Sequence, residues 1–180
     1  IVRTQIWSWL PFIVTYLVLS RFSEGKLHWA WLFACPLCMV FWVNIHGSFI
    51  LGMILIGAFF IGELVRKLLK LSGALDWRLI ALLGGTGLLS GLSILLNPHF
   101  TGVINYAINL LTNPPSQQLI VEWQSPTPKG LANIAFFASI LFFIIVLAYS
   151  KYRLKPTEVI LIIGFLWLAW SGQRYVIWFG

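Results

Sequence analysis

The sequence predicts an all-α polytopic membrane protein, a bundle of six spanning helices with one short amphipathic helix lying on the membrane surface. Three observations carry this reading. Of 180 residues, 59% are hydrophobic and 9% charged, and the mean hydropathy is +0.90. A soluble domain carries about 25% charged residues, so this chain has too few to cover a water-facing surface. The apolar residues fall in runs close to spanning length, and the cations fall in alternate loops. The same composition excludes a disordered chain and a nucleic-acid module, although the net charge is +7.

Taken in order, the first apolar run covers residues 6–20 and ends at the polar stretch 21–28. The second covers 29–43, with Trp29 and Trp31 as interfacial anchors, and breaks at Asn44-Ile45-His46-Gly47. The third, 49–65, is followed by Arg66, Lys67 and Lys70. The fourth, 79–96, stops at Asn97-Pro98. The fifth and sixth are 131–149 and 158–170. Between the fourth and fifth, Val103, Ile104, Ala107, Ile108 and Leu111 recur at helical spacing, with Asn105 and Asn109 on another face. That pattern predicts a surface-lying amphipathic helix, ended by Asn113-Pro114-Pro115.

The loops after the first, third and fifth runs hold Arg21, Lys26, Arg66, Lys67, Lys70, Arg78, Lys151, Arg153 and Lys155, nine of the twelve cations. The other side holds only Arg3, Lys129 and Arg174. The bias places the basic loops in the cytoplasm. Ile1 is not a Met, no charged segment precedes the first run, and Trp178-Phe179-Gly180 stops within apolar sequence. The chain is therefore expected to be an internal piece of a longer protein, with residues 1–180 forming one transmembrane domain.

The non-cytoplasmic side collects Arg3, Gln5, Asn44, His46, Asn97, His99, Glu122, Gln124, Lys129, Gln173 and Arg174. Polar groups near lipid are costly unless paired or wet, so their gathering on one side points either to a shared site or to helix caps and headgroup contacts. Glu122 is the only acidic residue there; it could be a base, a metal ligand, or the partner of Arg3 or Arg174. His46 could act as an acid or base, or either residue could hold the outer loops together. Cys35 and Cys38 lie on one face of an apolar helix without further soft ligands, and read as small hydrophobes rather than a redox or metal pair. Gly84, Gly87 and Gly91 share a helix face and read as close packing rather than a nucleotide loop; Gly52, Gly57 and Gly62 are read likewise. Glu63 and Lys67 are spaced for an i,i+4 ion pair, with a proton-relay carboxylate as the alternative.

Three segments, Trp42-Val43-Asn44-Ile45-His46-Gly47-Ser48-Phe49, Asn97-Pro98 and Glu122-Trp123-Gln124-Ser125-Pro126, together resemble a group of bacterial multi-spanning membrane proteins. That group is similar to the C-type integral-membrane glycosyltransferases, which use polyprenyl-phosphate sugars. Arg3-Thr4-Gln5 resembles an Arg-Pro-Gln element of the group with Thr for Pro, and Gln173-Arg174-Tyr175 an Arg-His element with Tyr for His. In these relatives an aromatic residue and Gly follow Asn-Pro closely, whereas here His99, Phe100 and Thr101 delay Gly102.

The resemblance implies a location in the bacterial plasma membrane and a polyprenyl-phosphate-linked sugar that reaches the site laterally from the bilayer. Arg3 or Arg174 would hold its phosphate, since a guanidinium matches phosphate oxygens; Gln5 and Asn44 complete the substrate-binding set. His46 and Glu122 would be the catalytic pair. In the wider superfamily the acidic catalytic residues tend to lie in a first outer loop, which would precede Ile1. No cofactor is expected; a divalent metal stays open, although no ligand spacing supports it. Two other readings stay open: a transporter or flippase component, which needs polar residues along a path through the spans, and a non-catalytic assembly protein.

Overall fold

The computed structural model describes residues 4–112 and 119–179, and all regular structure among them is helical. The helices are α1 (Trp9–Ser23), α2 (Ala34–Val43), α3 (Ile50–Leu68), α4 (Trp77–Ser93), α5 (Gly102–Thr112), α6 (Leu131–Tyr149) and α7 (Pro156–Ser171). Five 3-10 segments join them: Thr4–Ser8, Trp29–Phe33, Gly47–Phe49, Val121–Trp123 and Gln173–Trp178. Pro11 and Pro36 fall in the first turns of α1 and α2, where their missing N–H has no intrahelical acceptor to lose. Pro156 opens α7, and Glu158 reaches back to accept from Lys155 N at 2.7 Å.

Two helical stretches are long and apolar enough to cross a membrane, Ile6–Ser23 with 18 residues and Gly47–Leu68 with 22. At ~1.5 Å per residue they reach about 27 and 33 Å, against a hydrocarbon core of about 30 Å. Three further apolar helices, Trp29–Val43, Asn133–Tyr149 and Pro156–Ser171, are shorter, and α4 stops at Ser93, short of the expected end at residue 96. The short helix expected between the fourth and fifth runs is α5; its expected stop, 113–115, lies outside the described residues.

The chain divides into two compact units, Ile1–Ile108 and Asn109–Gly180. In the first, α1 packs on α2 and α3, and α4 packs on the same two helices. Leu19, Cys35, Met39, Trp42, Leu55, Ile56 and Leu83 fill its interior. Ser8 bonds Ser48 where α1 and α3 begin, and Ser23 bonds Glu63 near where they end, at the same separation of 40 residues. These two helices therefore run parallel. Asn44, after α2, donates to Leu96 O beyond the end of α4 at 3.0 Å, so α2 and α4 finish at a common end. The glycines of α4 allow close approach: a Cβ on Gly84 would sit 3.1 Å from Phe60 Cε2, and one on Gly87 3.4 Å from Ile56 Cγ2. Gly52 is tighter still, with Met39 Cε at 2.9 Å, whereas Gly57 faces open space and has no packing role of the expected kind.

In the second unit, Phe137 near the start of α6 meets Trp170 near the end of α7, with ring centroids 5.7 Å apart. The two helices are thus antiparallel. Phe136 also meets Phe179, at 5.9 Å.

Candidate functional site

The residues singled out above fall into two groups, one in each unit. Arg3 lies outside the described residues, and Gln5 falls in the 3-10 helix Thr4–Ser8. In the first unit, His46 caps the 3-10 helix Gly47–Phe49, its Nδ1 accepting from Ser48 N at 3.1 Å. A nitrogen that accepts a hydrogen bond carries no proton, so the neutral ring keeps its hydrogen on Nε2. The Ser48 hydroxyl lies 2.8 Å from the same Nδ1, takes a bond from Trp42 Nε1 at 3.1 Å, and meets Ser8 Oγ at 2.9 Å. His46 is thereby oriented, through Ser48, by the 3-10 segment that precedes α1 and by α2. Any proton chemistry it performs must run through Nε2.

Asn44 spends both amide hydrogens on the backbone, on Val40 O at 2.8 Å and Leu96 O at 3.0 Å. Only its Oδ1 remains to meet a ligand, as an acceptor. Asn97 is similarly committed: Nδ2 donates to Ile94 O and Phe100 O, and Oδ1 accepts from His99 N at 2.7 Å. It closes the turn that ends the α4 segment.

In the second unit, two of the sequence motifs come together. Gln173 N donates to Gln124 O at 2.9 Å, and the backbone of Gly172 passes so close that a Cβ there would stand 3.2 Å from Trp123 O. This seats the turn Val121–Trp123 against Gln173–Trp178. The Arg174 guanidinium then lies over the Trp123 ring, 4.1 Å from its centroid, and 5.7 Å from that of Tyr175. Trp123 and Tyr175 meet edge to face at 6.2 Å. Such stacking is worth roughly 0.5–2 kcal/mol, depending on desolvation. It holds the cation without cancelling its charge, and no carboxylate of the described residues pairs with Arg174. Glu122 sits exposed on the same turn. Burial pushes the Tyr175 phenol above its usual range, and Arg174 pulls it part of the way back. Tyr175 therefore stays neutral near physiological pH.

A third cluster was only partly visible in the sequence. Glu63 pairs with Arg66 at 2.6 Å rather than with Lys67, which instead meets Asp76 at 3.5 Å. Glu63 Oε1 also accepts from Ser23 Oγ, and Oε2 from Leu75 N at 3.3 Å. Arg66 Nη2 donates to Ser72 O at 3.0 Å and Gly73 O at 2.7 Å. The spacing Glu63–Arg66 was the available signal, since i,i+3 and i,i+4 partners are equally reachable on a helix. Cys35 is buried and Cys38 half-buried, both as free thiols. Among the described residues, no group of three or more His, Cys, Asp or Glu is arranged to hold a metal ion.

Compared with protein-family models, curated proteins and solved structures, the chain matches none.

Proposed function

We propose that this chain is the membrane-embedded part of a glycosyltransferase-like protein, which transfers a sugar from a polyprenyl-phosphate donor at the non-cytoplasmic face of a bacterial plasma membrane. In this reading six segments span the bilayer, the shorter ones completed by the turns that flank them, and the Lys/Arg-rich loops face the cytoplasm. The first unit supports that orientation. Its described cations, Arg21, Lys26, Arg66, Lys67, Lys70 and Arg78, all lie where α1 and α3 end or α4 begins, while His46, Asn44 and Asn97 lie at the other end. Exposed apolar side chains such as Leu88 (75%) and Trp167 (71%) suit lipid better than water.

The observation that carries the functional reading is Arg174, a guanidinium stacked on Trp123 beside the turn that bears Glu122, with no carboxylate partner among the described residues. A lipid phosphate is the anion such a cation fits at a membrane surface. Glu122, on the turn next to Arg174, polarises the acceptor; in the first unit, any proton chemistry of His46 runs through Nε2. The transporter reading is weakened, because Glu63, the carboxylate a proton relay would use, is already satisfied by Arg66, Ser23 and Leu75 N.

The test is sugar transfer from a lipid-linked donor by the full-length protein. Arg174→Ala and Glu122→Gln should each lower transfer more than tenfold at normal membrane abundance. Arg174→Lys, which keeps the charge but loses the planar fork, should fall between wild type and Arg174→Ala. Transfer per molecule preserved in all three variants would refute the assignment and favour an assembly role.

A further inference from the structure

We infer that the segment between α3 and α4 is a binding surface for anionic phospholipid headgroups. The inference rests on the reading of this chain as membrane-embedded, but concerns the end opposite His46. Three features converge there.

The first is charge. Of the six described cations at this end, Arg66 is neutralised by Glu63, Lys26 by Glu24 at 2.8 Å, and Lys67 by Asp76. Arg21, Lys70 and Arg78 have no carboxylate partner among the described residues. Three positive charges are left over.

The second is composition. Leu68 (62% exposed), Leu69 (64%), Leu71 and Trp77 (56%) stand exposed around Lys70 and Arg78. A soluble polyanion gains little from such a border. A headgroup layer, apolar beneath and anionic above, matches both parts.

The third is backbone. Lys70 occupies the left-handed region at φ 53° in the motif that ends α3, with Leu71 N bonded to Arg66 O at 2.9 Å and Lys70 N to Lys67 O at 3.1 Å. Glycine is the usual residue there, and Gly25, at φ 68°, holds the matching place after α1. At Lys70 the chain carries a cation where glycine would relieve strain. The segment is also held in shape, because Arg66 grips the carbonyls of Ser72 and Gly73, and Glu63 the N–H of Leu75. The surface is therefore preformed rather than ordered on contact.

The experiment is a lipid titration of the purified full-length protein by native mass spectrometry, comparing phosphatidylglycerol with phosphatidylcholine. Wild type should retain phosphatidylglycerol preferentially, and less so as salt is raised. A cation near an anionic surface is worth roughly fivefold in affinity. Lys70→Gly should thus weaken phosphatidylglycerol binding about fivefold, and Lys70→Gly with Arg78→Gln by roughly twentyfold or more. Lys70→Gly should at the same time unfold no earlier than wild type, since it relieves the left-handed strain; a fold defect therefore cannot mimic the loss. Undiminished phosphatidylglycerol binding by the double variant would overturn the proposal, and so would equal capture of heparin by wild type through the same cations. Failure of wild type to enter nanodiscs of either lipid would instead remove the membrane reading itself.

Discussion

Glu63 Oε1 lies 2.6 Å from Arg66 Nη1, one turn along the same helix, and the two side chains are 0% and 9% exposed. The pair is the hub of a network that joins α1 through Ser23 to the segment before α4 through Ser72, Gly73 and Leu75. Removing one partner strands a buried charge, which costs about 3–5 kcal/mol, whereas replacing both by apolar residues is often neutral. Glu63→Gln should therefore destabilise the protein strongly in detergent unfolding experiments, and Glu63→Leu with Arg66→Met should recover most of the loss. Ser23→Ala should cost about 1 kcal/mol. Wild-type stability for Glu63→Gln would show that the network contributes nothing net.

Two of the three glycines of α3, Gly52 and Gly57, offer a controlled comparison. In Gly52→Ala the new methyl meets Met39 Cε at 2.9 Å and the buried Trp42 ring at 3.0 Å. Met39 can bend away but Trp42 cannot, so the expected cost is about 1–3 kcal/mol. Gly57→Ala enters open space and should gain up to about 1 kcal/mol from helix propensity. Equal melting temperatures for the two variants would contradict the close approach of Met39 and Trp42 to Gly52.

His46 separates structure from chemistry. Asn retains an acceptor for Ser48 N, as its frequent use at helix N-termini shows, but lacks an equivalent of Nε2. His46→Asn should therefore keep near-native stability and lose sugar transfer. His46→Ala should lose both, the stability by about 1 kcal/mol. If His46→Asn transfers sugar normally, the residue is only a cap.

Orientation can be read by labelling. With Cys35 and Cys38 replaced by Ala, single cysteines are introduced at Ser125 and Ser72. An impermeant thiol reagent applied to intact cells should label position 125 and spare 72. The reverse would place the basic loops outside and move the proposed site to the cytoplasm. The parent Cys35→Ala, Cys38→Ala protein should keep its activity within a few-fold, since among the described residues no third ligand joins the two thiols.

The sequence by itself determined that the chain is helical and apolar, where its helices begin and end to within a few residues, and that the described cations of the first unit gather at one end. These are properties of periodicity, composition and order along the chain, and each is carried by residues close together in sequence. It also pointed to Glu63 as half of an ion pair, and to Gly52, Gly84, Gly87 and Gly91 as packing positions. Only the tertiary structure decided between partners. Arg66 and Lys67 are both within one turn of Glu63, but Arg66 also reaches the carbonyls of Ser72 and Gly73, and its planar fork can meet acceptors in several directions at once. Gly57 looks like Gly52 in sequence and differs only in whether another helix stands opposite it. Trp123 and Arg174 are 51 positions apart, and their stacking depends on Gly172 leaving room for the backbone of Trp123. Contacts of that kind depend on which surfaces the fold brings face to face, and local pattern carries no record of that.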